Sequence, residues 1–454
     1  MELLLGILGE VENLNLHEIQ YERVDARRFE TAYLVALHHN SESEEETREL
    51  LSELKELVDT LGLEVRGTDI VKLQSPRPKY LIGSGKAQEI IAAARSTDAN
   101  VIILDDPLSP SQQRNWEKLA GMPVIDRQEV ILDIFGQRAQ TKAAELQISL
   151  ARAEYDLPRL KRRWTHLSRQ RGGTSGGAGL RGGGEQQIEV DARLVQDRIS
   201  KLKKELEEVK RKRHVQRQRR LKKPVPTAAL VGYTNAGKSS LLNKLTDSRV
   251  FTEDKLFATL DPTSRRVVLP NQQEMIISDT VGFIRKLPHA LIEAFKATLE
   301  EAILADYIIE VLDVTSSEVS KHHQTTTEVL RELGADQKPR VIVLNKTDLI
   351  TDNYTLPRLR KRFRDPVFTS ARRNSGIDAL EARLGEELQH DLCEIEVLIP
   401  HSRYDLVALL HRTSLITNEE STDAGVRVRA SVPAYTAAQL KDFKVDAETY
   451  LTNV

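Results

Sequence analysis

A single cysteine, Cys393, stands among the 454 residues. That excludes an intramolecular disulfide and any multi-cysteine metal site. The residue is expected as a small core side chain, and a reducing, cytoplasmic compartment fits. No apolar run approaches the roughly 18–20 residues of a membrane span. The opening Leu3-Leu4-Leu5-Gly6-Ile7-Leu8 is short, lacks a basic flank and sits beside Glu2 and Glu10, so no signal peptide is expected. His38-His39 and His322-His323 have no flanking metal ligands and read as surface residues. The length leaves room for about three domains.

What the chain does have is a phosphate loop in the right setting. Gly232-Tyr233-Thr234-Asn235-Ala236-Gly237-Lys238-Ser239 keeps the spacing that wraps backbone N–H groups around nucleotide phosphates. The apolar Ala228-Ala229-Leu230-Val231 leads in as a strand, and Ser239 to Leu245 leads out as a helix whose N-terminus favours anions. Lys238 is placed to reach the β and γ oxygens. Asp279-Thr280-Val281-Gly282 ends another strand: the acid is expected to hold Mg²⁺ through water, and the Gly282 N–H to contact the γ-phosphate. Asn345-Lys346-Thr347-Asp348 ends a third strand. The Asp348 carboxylate can accept from guanine N1–H and its exocyclic amine, donors that adenine lacks on that edge. Ser370-Ala371-Arg372 follows a short strand, where a backbone N–H can meet guanine O6. In this order, each at the carboxyl end of a strand, the motifs read as a GTP site.

Between the first two motifs lies Phe257-Ala258-Thr259-Leu260-Asp261-Pro262-Thr263. A threonine hydroxyl here, Thr259 rather than Thr263, is the candidate that joins Ser239 and Asp279 around Mg²⁺ when a γ-phosphate is present. One side chain is missing. Phe283 follows Gly282 where many GTPases place a water-orienting glutamine, so slow intrinsic hydrolysis is expected. Asn235 is a candidate for a potassium site; the alternative is that it only stabilises the loop. Lys238, Thr259 and Gly282 are the expected catalytic groups, with GTP/GDP and Mg²⁺ as cofactors.

The net charge of −2 conceals an asymmetry: residues 151–223 hold 22 Lys and Arg against 9 Asp and Glu. A basic island in an otherwise acidic chain points to nucleic acid. Within it, Ala143, Leu146, Leu150, Ala153 and Leu157 space at three and four, as do Val195, Ile199, Leu202, Leu206 and Val209. The pattern predicts two helices zipped into an antiparallel hairpin. Residues 172–184 contain eight glycines, too many for a helix, and predict a flexible, arginine-bearing tip. Trp164 and His166 precede it.

Toward the N-terminus, Thr31–Leu37 reads as a strand, Glu44–Leu61 as a helix, Lys79–Ile82 and Val101–Leu104 as strands, and Ala87–Arg95 as a helix after a tight Gly83-Ser84-Gly85-Lys86 turn. The tail predicts strands at Cys393–Pro400 and Gly425–Val432 and a helix near Tyr404–His411, without a catalytic constellation.

Together the phosphate loop, Phe257–Thr263, Asp279-Thr280-Val281-Gly282-Phe283-Ile284, the glycine-rich tip and Tyr80-Leu81-Ile82-Gly83-Ser84-Gly85-Lys86 resemble the HflX family of GTPases, from about Tyr33 to about Val432. The resemblance implies an α/β protein. A P-loop GTPase domain (224–391) would follow a small α/β N-terminal domain (1–135) with a long antiparallel helical hairpin (136–223), and a small α+β C-terminal domain (392–454) would close the chain. It also implies association with the large (50S) ribosomal subunit and its rRNA, the tip directed toward the peptidyl-transferase region. Ribosome splitting or rescue under stress, or ribosome biogenesis, would be the task, and a monomer is expected off the ribosome. Some members are described as binding ATP through the N-terminal domain. The residues alone leave an alternative open: a GTP-gated RNA-binding or RNA-remodelling factor acting on a non-ribosomal RNA, with ATP binding in that domain.

Overall fold

Strand β1 (Thr31–His39) is buried on both faces from Ala32 to Leu37, as an unbroken apolar run in a parallel sheet should be. The computed structural model describes residues 29–40, 42–163, 183–220, 225–246, 256–257, 262–271, 273–286, 299, 301–390, 392–433, 436–437 and 440–445. Two units divide the chain: residues 1–137 with 152–198, and residues 138–151 with 199–454.

In the first unit β1 is followed by α1 (Glu44–Leu61), β2 (Glu64–Leu73), α2 (Ser84–Ser96), β3 (Val101–Leu104), α3 (Pro110–Ala120), β4 (Val124–Asp126) and α4 (Arg127–Arg138). The strands form one parallel sheet in the order β2-β1-β3-β4. Helix α1 starts where Ser43 caps the Glu46 N–H, with the bounds the sequence predicts. Two readings are corrected. Ser84, Gly85 and Lys86 form the first turn of α2 rather than a loop. The expected Lys79–Ile82 strand is only a small hairpin, bridged at Arg77–Leu81 and Tyr80–Ile82. Its Tyr80 carbonyl accepts from the indole of the fully buried Trp116 at 2.9 Å. His38 and His39 are half-buried and engaged, with Thr47 Oγ1 and Asp106 Oδ1 respectively, each at 2.8 Å.

Helices α5 (Lys142–Arg163) and α6 (Gly183–Arg220) follow, on either side of residues 164–182. Leu146, Leu150, Leu202 and Leu206 meet in one buried cluster flanked by Ile199 and Val209, which is the predicted seam. The glycine-rich tip up to residue 182, with Trp164 and His166, lies outside the described residues.

From Arg152 onward α5 belongs to the first unit and is held within it by a polar cluster. The Tyr155 hydroxyl donates to Asp126 Oδ1 at 2.9 Å, Arg159 Nη2 to the Leu108 carbonyl at 3.0 Å, and Gln113 Nε2 to Glu129 Oε2 at 3.2 Å. Arg152 pairs with Asp133. Burial, reinforced by the charges of Asp133 and Asp126, pushes the Glu129 carboxyl up to about 8. The folded chain therefore keeps a proton that the unfolded chain releases above its ordinary value of 4.5. The stability this gives is complete below that value and is lost as pH rises to about 8. Accordingly, Glu129→Gln is expected to remove part of the alkaline fall in melting temperature between pH 5 and 9. Parallel melting curves for wild type and variant would overturn this.

The second unit holds β5 (Thr227–Gly232), α7 (Lys238–Thr246), β6 (Thr263–Val268), β7 (Glu274–Asp279), β8 (Tyr307–Asp313), α8 (Val319–Glu332), β9 (Arg340–Asn345), α9 (Thr355–Arg362), β10 (Val367–Phe368) and α10 (Ile377–His390). Their six-stranded sheet has the order β10-β9-β8-β5-β7-β6, parallel except for β6 on β7. Leu230, Ile277, Val311 and Val343 of its strands pack with Leu241 of α7 and Leu380 and Leu384 of α10.

Strands β11 (Leu392–Ile399), β12 (Leu415–Thr422) and β13 (Gly425–Pro433), with α11 (Tyr404–Thr413), form the tail. The antiparallel order is β11-β13-β12, with Ile395, Val397, Val428 and Val432 packed on Val407 and Leu410. Cys393 is exposed, not a core residue: it precedes the alternation that buries Ile395, Val397 and Ile399. Among the described residues no helix is long and apolar enough to cross a membrane.

Candidate nucleotide-binding site

The loop between β5 and α7 is shaped by three residues with positive φ: Gly232 at 143°, Asn235 at 58° and Gly237 at 89°. A Cβ on Gly232 would lie 2.2 Å from the Val311 carbonyl oxygen, and one on Gly237 2.3 Å from Asn345 Nδ2. Asparagine is among the few side-chain-bearing residues that tolerate the left-handed region, so the backbone gives Asn235 a conformational role of its own.

Lys238 opens α7 and folds back over the loop, donating through Nζ to the carbonyls of Gly232 at 3.2 Å and Tyr233 at 2.9 Å. Burial pulls its ammonium down to about 8, against the charge of Asp279. A triphosphate beside it would supply an anionic partner that favours the charged form. Ser239 Oγ donates to Asp279 Oδ2 at 2.5 Å, so the hydroxyl and carboxylate expected around Mg²⁺ converge. Both are the hard oxygen donors this ion takes, and one or two protein ligands suffice when phosphates and waters supply the rest. No cluster of three or more His, Cys, Asp or Glu side chains suited to a metal occurs among the described residues.

After Asp279 the chain runs along the phosphate loop. Thr280 Oγ1 donates to the Leu230 carbonyl at 2.7 Å. Gly282 is so close that a Cβ there would come within 2.7 Å of Thr234 Cα and 2.9 Å of Lys238 Nζ. Val281 and Phe283 are buried, Phe283 to 2 % exposure. Phe257 is buried with φ at 55°, whereas Ala258, Thr259, Leu260 and Asp261 lie outside the described residues.

The base-recognition motifs are drawn together by one side chain. Asn345, at the end of β9, donates from Nδ2 to the Ala236 carbonyl at 2.9 Å. Its Oδ1 accepts from Thr369 Oγ1 and from the Ala371 N–H, each at 3.2 Å. Thr347 ties back to the Thr369 carbonyl through its hydroxyl at 3.0 Å. Lys346, with φ at 66°, pairs with Asp313 at 2.8 Å, and Asp348 Oδ1 accepts from Ser370 Oγ at 2.6 Å. Arg372 is exposed. A network joining the phosphate loop, the Asn345–Asp348 turn and the Ser370–Arg372 turn can hold a purine nucleotide at the carboxyl edge of the sheet.

A protein of Akkermansia muciniphila named GTPase HflX is 45% identical over 427 residues, 92% of this chain and 97% of that one. The chain belongs to the HflX GTPase family. The HflX protein of Escherichia coli K12 is 40% identical over 91% of this chain and 95% of its own. Family models described as GTP-binding GTPase N-terminal, GTP-binding GTPase Middle Region and 50S ribosome-binding GTPase match residues 48–136, 138–220 and 227–346. Among solved structures, a GTP-binding protein of Sulfolobus solfataricus with GDP is 28% identical, with a TM-score of 0.42 over 79% of this chain and 98% of that one. As an HflX member this chain is a GTPase.

Sequence reading missed two things here. It treated Asn345 as one letter of a base-recognition motif, and only the fold makes it the junction of three loops. It also placed His322-His323 on the surface. His322 instead stacks on the Tyr233 ring with centroids 3.8 Å apart and planes 9° from parallel, and His323 Nδ1 lies 2.9 Å from buried Glu310 Oε1. No spacing signalled this, because the pairing partners are 89 and 13 positions away.

Proposed function

We propose that this chain is a GTP-hydrolysing factor of the large (50S) ribosomal subunit, acting in the splitting or rescue of stalled ribosomes under stress or in ribosome biogenesis. The junction at Asn345 supports the nucleotide part of the reading, because its side chain bonds both to Ala236 of the phosphate loop and to Ala371 of the Ser370–Arg372 turn. In that site Gly237, Lys238 and Ser239 hold the phosphates, and Asp348 with Ala371 reads guanine. Ser239, Thr259 and Asp279 hold Mg²⁺, which when bound offsets charge on the β and γ oxygens. The Gly282 N–H meets the γ-phosphate. Water attacks the γ-phosphorus in line, a new P–O bond forms as the bond to the β–γ bridging oxygen breaks, and GDP and phosphate leave. Potassium at Asn235 is a further proposal, separable by comparing turnover in potassium and sodium salts.

The basic hairpin supports the ribosomal part. Its net local charge suits salt-dependent contact with rRNA phosphates, and a monomeric, cytoplasmic protein fits such a role. Divisions near residues 135, 223 and 391 are the proposed domain limits.

Turnover measured alone and with purified large subunits tests this. Strong stimulation by subunits is expected, lost when residues 172–184 are shortened while GTP affinity is kept. Unstimulated turnover of the intact chain would overturn the ribosomal reading, and collapse of GTP affinity in the shortened chain would make the tip structural.

A further inference from the structure

Phe283 offers no polar side-chain atom to a water, and the course of the chain around Gly282 is held from the phosphate loop. Three hydrogen bonds set it. The Phe283 N–H donates to the Gly232 carbonyl at 3.0 Å, and the Thr234 N–H donates to the Phe283 carbonyl at 2.8 Å. The third comes from a side chain: the Tyr233 hydroxyl accepts the Arg285 N–H at 2.7 Å. Tyr233 thus touches the chain after Gly282 with both its backbone, bridged in parallel to Phe283, and its phenol.

The phenol is not left to choose its own rotamer. His322 lies flat on the Tyr233 ring, and His322 is in turn fixed by its helix. The next residue, His323, bonds to Glu310 in the middle of β8, which also pairs with Arg340 of β9 at 3.2 Å, and the His323 ring meets Phe363 edge-on. Arg285 reaches Glu318 at 4.0 Å just before α8. Burial, then the nearby Arg285 charge, pulls the His322 imidazole down to about 4, so a neutral ring faces the phenol at physiological pH.

We propose that Tyr233 and His322 are positioning residues for GTP hydrolysis: the imidazole fixes the Tyr233 ring, and the Tyr233 hydroxyl fixes the backbone that presents the Gly282 N–H beside Lys238. The pair takes over, through the main chain, part of the ordering that a glutamine side chain gives in other GTPases. This rests on GTP hydrolysis alone and is independent of the ribosomal partner.

Single-turnover and steady-state hydrolysis of Tyr233→Phe, His322→Ala and His322→Phe in the full-length chain tests it. Tyr233→Phe keeps the ring and loses only the hydroxyl. It is expected to lower kcat by roughly ten- to a hundredfold with KM little changed, since small misplacements at a reacting centre cost that much. His322→Ala should do the same, and His322→Phe, which restores a flat ring, should recover most of the loss. Wild-type turnover in Tyr233→Phe would overturn the proposal. So would a matched fall in kcat, nucleotide affinity and melting temperature, the mark of a merely structural contact. If the wild-type chain itself failed to hydrolyse GTP, the enzyme assignment would fail instead, which is a separate result.

Discussion

Asp348→Asn is expected to weaken GTP by roughly a hundredfold to ten-thousandfold and to make xanthosine triphosphate the better ligand. The carboxylate is half-buried, and Oδ1 is already oriented by the Ser370 hydroxyl at 2.6 Å. Guanine presents two donors to it. An amide can accept with only one atom and must aim its NH₂ at the second donor, leaving both unpaired in a partly dehydrated site. Xanthine exchanges the exocyclic amine for a carbonyl, which accepts from that NH₂. Competition binding with the two nucleotides against wild type and variant measures the exchange. A variant that still preferred GTP would remove Asp348 from base recognition.

Gly237→Ala is expected to abolish nucleotide binding in the micromolar range, a loss of about a hundredfold or more by analogy with other misplacements at built sites. The glycine has φ at 89°, a region that costs a side chain about 1–2 kcal/mol. The larger effect is a collision: the new methyl would lie 2.3 Å from Asn345 Nδ2. Asn345 cannot swing aside cheaply, because it is 1 % exposed and bonds to Ala236, Thr369 and Ala371 at once. Displacing it disturbs the phosphate loop and both guanine turns together. Gly136→Ala is the control: it lies in α4 with nothing within 4 Å of the added carbon, and alanine there should raise stability by up to about 1 kcal/mol. Titration with GDP and thermal melting separate the outcomes, and Gly237→Ala binding GDP normally would refute the collision argument.

The candidate nucleotide motifs were legible because the proposed chemistry tolerates few substitutes: a glycine where φ is positive, a lysine proposed for phosphates, an acid proposed for guanine. The buried strands β1, β5 and β9 were legible as unbroken apolar runs. β2 and β12 were not, because both are edge strands with many exposed polar residues: β12 is exposed from Thr417 on, and the alternation of β2 runs through Gly67 and Asp69 rather than through apolar side chains. The start of α2 was hidden by Gly85, whose intrinsic preference opposes a helix, a preference the packed Ala87, Ile90 and Ile91 override. His322 takes its surroundings from Tyr233, 89 positions away, which no local window contains.

The exposed position of Cys393 has a practical consequence. Because the sequence holds no other thiol, a maleimide dye will attach at one defined point on β11 without any prior mutagenesis. The native chain thus supplies its own label site for fluorescence, and each molecule will carry one reporter on the three-stranded tail domain.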